Sequence, residues 1–200
     1  MCRIYDCVDK YVALLDTKYY LIIGRKNIAL ELNLYFDKKD CYHLMGLQYI
    51  KDRPELHIDR GVVFDAILHR TLDVDQIESS DQYDKIKDRI RYLPYLEQII
   101  DSNETIFKYN SKANNFSKIQ ADFLMCNYLY DQNLYVFLSE NEEGNYFCKS
   151  FFPKTNRDYT IRQPKWTLLY KEKIMLSQNT KIILYNGFDN KEGGETGIIV

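Results

Sequence analysis

Lys149, Ser150, Lys154, Arg157, Tyr159, Thr160 and Gln163 are crowded between positions 149 and 163. Cations, hydroxyls and an amide in one stretch are the donors an anionic ligand requires. They gather where regular structure should stop. Tyr146, Cys148, Ser150 and Phe152 alternate with Phe147, Lys149 and Phe151, the period-two pattern of a pleated strand. Pro153 then removes a ladder donor and ends that strand. Between Asn145 and Lys173 stand seven Lys/Arg against two acids, in a chain whose formal net charge is −2. A strand leading polar groups into a cationic loop is a seat for an anion; the same residues also suit a solvated edge strand with a basic loop. A second candidate is His43. On a helix it would share a face with Leu47 and Ile50, with Gly46 one turn on. Glycine there costs about 1 kcal/mol against alanine, tolerable where another group must approach closely. A core-edge histidine with one satisfied nitrogen fits that position equally. His57, in a proline-containing connector, and His69, near an expected helix end, have less context.

Other chemistries have no motif here. The sequence has no phosphate-cradling glycine loop, no Gly-x-Ser-x-Gly and no His-Glu-x-x-His. No Cys-x-x-Cys or Cys/His pairing suggests zinc, so neither metal nor cofactor is expected. The five cysteines (Cys2, Cys7, Cys41, Cys126, Cys148) are odd in number and widely spaced. With no signal-peptide pattern at the N-terminus they read as reduced thiols in a cytoplasmic protein. No apolar run approaches the roughly 20 residues of a membrane span. A 46% hydrophobic and 14% aromatic content, with 18 tyrosines, supplies a core and many half-buried amphipathic rings. The near-neutral balance argues against a wholly basic nucleic-acid coating protein and leaves room for a local basic site.

The elements that would position these residues follow from periodicity. Residues 3–16 read as a short amphipathic helix, through Ile4, Val8, Tyr11, Val12 and Leu15. Residues 18–36 read as a β-hairpin turning at Gly24-Arg25-Lys26-Asn27. Asp37 is the expected N-cap of a helix running through His43 to Ile50. Residues 60–70 and 72–101 read as helical, with Pro94 kinking or restarting the second segment. Nine acids against four bases over 71–104 make that segment a solvated acidic exterior. Strands are expected at 105–109, 118–130, 134–139, 145–152 and 166–170, joined by short turns as an antiparallel meander. The order implies an α+β fold: N-terminal helices and a β-hairpin packed on a C-terminal antiparallel meander sheet. Residues 1–175 form one expected domain, and 176–200, with Gly193-Gly194, a loosely ordered extension.

The ordered set of the hairpin, Phe36-Asp37, His43-Leu44-Met45-Gly46-Leu47, Ile119-Gln120-Ala121-Asp122, Ser150-Phe151-Phe152-Pro153, Asp158-Tyr159-Thr160 and Gln163 resembles the phage-associated PBECR domains. These are grouped with barnase, EndoU, certain colicins and RelE as ribonuclease-like proteins. The resemblance spans about 18–173. It implies a small metal-independent RNase fold found with phages and mobile elements, where such domains act as toxins or in phage–host conflict. It also implies RNA as substrate and an antitoxin-like inhibitor protein as a partner. By motif match it carries over His43, Ser150, Lys154, Tyr159 and Gln163 as catalytic positions, with Lys149, Arg157 and Thr160 binding substrate.

Metal-free RNA cleavage uses the substrate's own 2′-hydroxyl: a base takes its proton, the oxygen attacks the adjacent phosphorus, and an acid protonates the leaving 5′-oxygen. An ordinary histidine pKa near about 6.5 suits such proton transfer, which assigns His43. Lys154, Lys149 or Arg157 would offset the growing charge, with Lys154 preferred because Lys149 faces away from Ser150 on a regular strand. Ser150, Tyr159 and Gln163 would orient phosphate or base. A non-catalytic binding module with the same fold is the alternative, favoured by the single well-placed histidine. A nucleotide-modifying enzyme has no direct support in the sequence.

Overall fold

The computed structural model describes residues 3–102, 105–114 and 116–188. Helix α1 (Ile4–Leu15) buries Ile4, Cys7, Val8, Tyr11 and Leu14, the stripe expected of its periodicity. Strands β1 (Thr17–Arg25) and β2 (Ile28–Tyr35) pair antiparallel across Lys26 and Asn27. Both turn residues take positive φ, 49° and 63°, the geometry that matches strand twist in a two-residue hairpin. Helix α2 (Lys38–Met45) opens on a reciprocal cap: Asp37 accepts from Lys39 N, and Asp40 accepts from Asp37 N. It closes at Gly46, in the left-handed region with φ 84°. The expected continuation to Ile50 is therefore a separate single turn over Leu47–Tyr49, and His43 does not share a helix face with Leu47 and Ile50.

Between β2 and the later strands the chain runs through short helices. These are α3 (Arg60–Leu68), α4 (Val74–Glu78), α5 (Lys87–Tyr92) and α6 (Leu96–Ser102). The helix expected over 72–101 breaks at Pro94 and again around 79–86. Six strands follow: β3 (Thr105–Lys108), β4 (Phe123–Leu129), β5 (Gln132–Glu140), β6 (Tyr146–Pro153), β7 (Lys165–Met175) and β8 (Thr180–Asn186).

The sheet corrects the sequence reading. It is not an antiparallel meander carrying a separate hairpin and helices. Seven strands close into a mixed barrel in the order β1-β2-β6-β5-β4-β3-β7, with β7 returning to β1 and β8 added outside β7. The fold remains α+β. Two pairings effect closure. β2 and β6 meet in parallel at Leu34/Tyr146 and Tyr35/Phe147. β7 pairs with β1 from Thr17/Met175 to Gly24/Thr167. Both join strands more than a hundred residues apart, and side-chain alternation along one strand carries no information about which distant edge will meet it. Closure gives the first hairpin partners on both edges. Strand β8 occupies part of the stretch expected to be a loose extension; residues 189–200, including Gly193-Gly194, lie outside the described residues.

The barrel strands have two different faces. One packs with the helices into the main core, taking Leu21, Leu32, Phe123, Val136, Cys148 and Phe151. The other carries a smaller aromatic cluster of Tyr109, Leu124, Tyr135 and Phe137, with Phe152 and Tyr159 against it. Cys41 and Cys148 are buried free thiols; Cys2 lies outside the described residues. Among the described residues no helix is long and apolar enough to cross a membrane.

Candidate active site

The small aromatic cluster floors a cleft of about 520 Å³, lined by Tyr49, Arg89, Phe116, Lys118, Ile119, Ser150, Phe152, Thr155, Asn156, Arg157 and Tyr159. Three of these are cations and none is a carboxylate, cysteine or histidine. Strand β6 brings Ser150 and Phe152 by its alternation, Phe152 stacking on Phe137 at 5.5 Å between ring centroids. Tyr159 stands edge-on to Phe116, Tyr135, Phe137 and Phe152, all between 5.2 and 5.5 Å. The exposed Arg157 lies 5.3 Å over Phe116.

The loop after β6 is sewn to its surroundings by residues that the sequence marks as chemical. Asp158 accepts from Lys154 Nζ at 2.5 Å, from Thr160 N at 2.9 Å and Oγ1 at 2.6 Å, and from Tyr135 Oη at 3.2 Å. Burial alone would raise its pKa, but these bonds outweigh burial and hold the carboxyl well below its usual range. Gln163 is buried, and its amide brackets the main chain of Asn110. Asn110 N donates to Oε1 at 2.8 Å, and Nε2 donates to Asn110 O at 3.0 Å. Buried Asn114 donates to Tyr159 O at 3.2 Å. The loop is thereby held to β5 and to residues 109–114, with Arg157 and Tyr159 facing the cleft.

Ser150, Tyr159 and Arg157 are thus brought together. Lys154 is turned into an ion pair with Asp158, Thr160 bonds the same carboxylate, and Gln163 is tied to Asn110; none of the three lines the cleft. Lys149 is exposed and outside the lining, its ammonium 5.6 Å from the Phe147 ring. It is the unpaired residue where the register of β6 shifts between Cys148 and Ser150, so the regular-strand expectation that it faces away from Ser150 does not apply. His43 also stands outside the lining. Its ring is edge-on to Tyr42 at 5.7 Å. Burial, then the charges of Arg60 and Lys149, push its pKa below the ordinary value despite a hydrogen bond with Gln48.

Sequence reasoning missed Arg89. It comes from α5, inside the stretch read as an acidic exterior, and lies between Ile86 and Ile90, both fully buried. A cation on the apolar side of a short helix was the available signal. Its Nη1 donates to Phe151 O at 2.5 Å. Its guanidinium carbon sits 5.2 Å from the Phe152 ring and 5.5 Å from Tyr49. Tyr49, Phe116 and Lys118 carried no pattern that would have marked them.

The family model described as phage-Barnase-EndoU-ColicinE5/D-RelE like nuclease4, PBECR4, matches residues 3–187. The chain belongs to this family. No curated protein and no solved structure matches it. The PBECR4 match covers every cleft residue and the barrel that carries them, so the cation-lined cleft lies within a nuclease-like domain.

Proposed function

We propose that this PBECR4 chain is an endoribonuclease that cleaves by attack of the substrate's 2′-hydroxyl on the adjacent phosphate, without a metal. One observation carries the reading: the cleft on the far face of β6 is lined by Arg89, Lys118 and Arg157 with no carboxylate among them. Three cations without acids attract a polyanion and offset charge growing on phosphoryl oxygens. The same lining offers no carboxylate, imidazole or thiol of the kind that holds a divalent ion. Ser150 and Tyr159 place hydroxyls on the floor to orient the phosphate. Tyr49 and Phe116 at the rim suit stacking of an unpaired base. For proton transfer the candidates are Tyr159, inside the cleft, and His43, whose lowered pKa keeps it neutral at pH 7 as a base requires. The phage association in the family's description supports an origin in phages or mobile elements and a toxin-like role, with an inhibitor protein as partner.

The test is incubation of labelled cellular RNA with purified protein in EDTA, beside Tyr159→Phe, Ser150→Ala and His43→Ala. We expect cleavage by the parent and a loss of about 100-fold or more in Tyr159→Phe if the phenol moves the proton. A comparable loss in His43→Ala alone would place the proton transfer on α2. A second reading is favoured by the position of His43 outside the lining: a nucleic-acid-binding module without catalysis. It predicts oligonucleotide binding and intact RNA with every variant.

A further inference from the structure

Arg89 differs from most other buried and half-buried cations of the described residues in what surrounds it; Lys18, over the Tyr35 ring, also has no carboxylate beside it but lines no part of the cleft. Lys173 is paired with Glu97 and Asp101, Lys154 with Asp158, and Lys171 caps α6 through Ile100 O and Asp101 O. Arg89 has no carboxylate partner among the described residues. Its neighbours are a carbonyl, two aromatic rings and the cleft. Desolvating a guanidinium without an acid beside it is unfavourable, and burial depresses its pKa accordingly. A guanidinium carries five N–H donors in a planar fork, and Phe151 O engages one nitrogen.

The backbone around Arg89 is shaped to admit it. Gly46, the residue that ends α2, has φ +84°, and a Cβ there would stand 2.9 Å from Arg89 Cδ, 3.0 Å from Ile86 Cγ2 and 3.2 Å from Tyr49 Cδ2. A side chain at 46 would be strained in that conformation and would push the Arg89 stem. Gly46 thus lets the end of α2 and the turn carrying Tyr49 close over the stem while the guanidinium reaches the cleft. The aromatic planes of Tyr49 and Phe152 restrict where the fork can go.

We infer that Arg89 is the deep phosphate-binding residue of this cleft: its fork fixes one phosphoryl group beside Ser150 and Tyr159, while exposed Arg157 and Lys118 attract the strand from the rim. The assignment rests on the anionic-substrate reading above and goes beyond it by distinguishing one cation from the others. A fixed bidentate donor sets register on a phosphate, whereas exposed cations contribute charge that salt screens.

The experiment measures binding of a fluorescein-labelled single-stranded oligodeoxynucleotide, which lacks the 2′-hydroxyl and so reports binding apart from cleavage. The variants are Arg89→Met, Arg89→Lys, Gly46→Ala and Arg157→Ala, each with a melting temperature. Arg89→Met keeps an unbranched stem for packing. It should weaken binding about 10- to 100-fold, the effect of losing a charged hydrogen-bonding partner. Arg89→Lys should recover little, because a point charge does not replace the fork. Gly46→Ala, which leaves the net charge unchanged, should weaken binding more than the charge-removing Arg157→Ala, for which about 2- to 5-fold is expected. Binding by folded Arg89→Met within twofold of the parent overturns the assignment, as does a folded parent that does not bind the probe. A parent that binds through Arg89 but leaves RNA intact would retain the assignment and remove the nuclease reading.

Discussion

The loop after β6 and the short helix α5 make opposite uses of their polar residues. The loop, residues 154–163, is rich in groups that could serve a substrate. Lys154, Thr160 and Gln163 nevertheless serve the fold, through Asp158 and Asn110. Helix α5 lies in an acid-rich stretch with nothing in its composition to recommend it. Yet it delivers Arg89, a cation without a carboxylate partner among the described residues, into the cleft. Residue type says what a group is able to do, and its partners decide whether it is available. A polar loop that must hold a fixed shape satisfies its own donors and acceptors first.

Substitutions that separate stability from binding test this contrast. The largest stability effect is expected at Asp158→Ala, which leaves Lys154, Thr160 and Tyr135 without their common acceptor; about 2 kcal/mol should be lost in urea unfolding. The pH dependence follows from the carboxyl's lowered pKa. Stability supplied by Asp158 is complete above the ordinary carboxylate range and is lost as pH falls below about 4. The difference between parent and variant should therefore shrink on going from pH 6 to pH 3. Gln163→Ala comes next, at about 1–2 kcal/mol, because it removes both hydrogen bonds to the Asn110 main chain. Melting temperature should fall by roughly 2–8 °C. A Gln163→Ala variant that melts like the parent yet loses RNA cleavage would break the contrast, returning Gln163 to the chemistry.

Lys154→Met is smaller. The Lys154–Asp158 pair is about a third exposed on the lysine side, so we expect less than about 1 kcal/mol in stability and oligonucleotide binding unchanged within twofold. Binding lost without destabilisation would show that Lys154 leaves Asp158 to hold substrate. The smallest effect concerns Asp40, whose pKa rises to about 6, first through burial and then through Asp37, while the bond from Asp37 N and the charge of Lys149 pull it back only partly. The sign is opposite to that of Asp158. Stability favouring the protonated form is present below the ordinary carboxylate range and lost as pH climbs through about 6. Asp40→Asn should therefore gain melting temperature relative to the parent at pH 7.5 and not at pH 4. Equal shifts at both pH values would refute the assignment.

Much of the local structure was legible. Alternation marked β2 and β6, because a strand with one buried face must repeat at two, and a run of β-favouring residues marked β1. The 3.6 period marked α1, and Asp37 marked the start of α2. Gly46 signalled a close approach, and the group that approaches is Arg89. Pro94 marked one break in the later helices. Of the candidate site, Ser150, Arg157 and Tyr159 meet in the cleft. His43, Lys149, Lys154, Thr160 and Gln163 stand outside its lining, since a motif read along the chain shows neither where a strand bulges nor which side chains are bound within their own loop.

By itself the sequence determined an α+β chain resembling the PBECR domains, the period of most main elements, and a cationic polar segment following β6. Those are local properties, set by side-chain pattern, turn chemistry and residue type within a few positions. Only the tertiary structure decided that the sheet closes through β1–β7 and β2–β6, and that Lys154 and Gln163 are engaged elsewhere. It alone brought Arg89 from α5 past Gly46 to β6. Each of these depends on contacts between segments far apart in the chain, where packing and hydrogen-bond satisfaction select one arrangement among many that the local pattern permits.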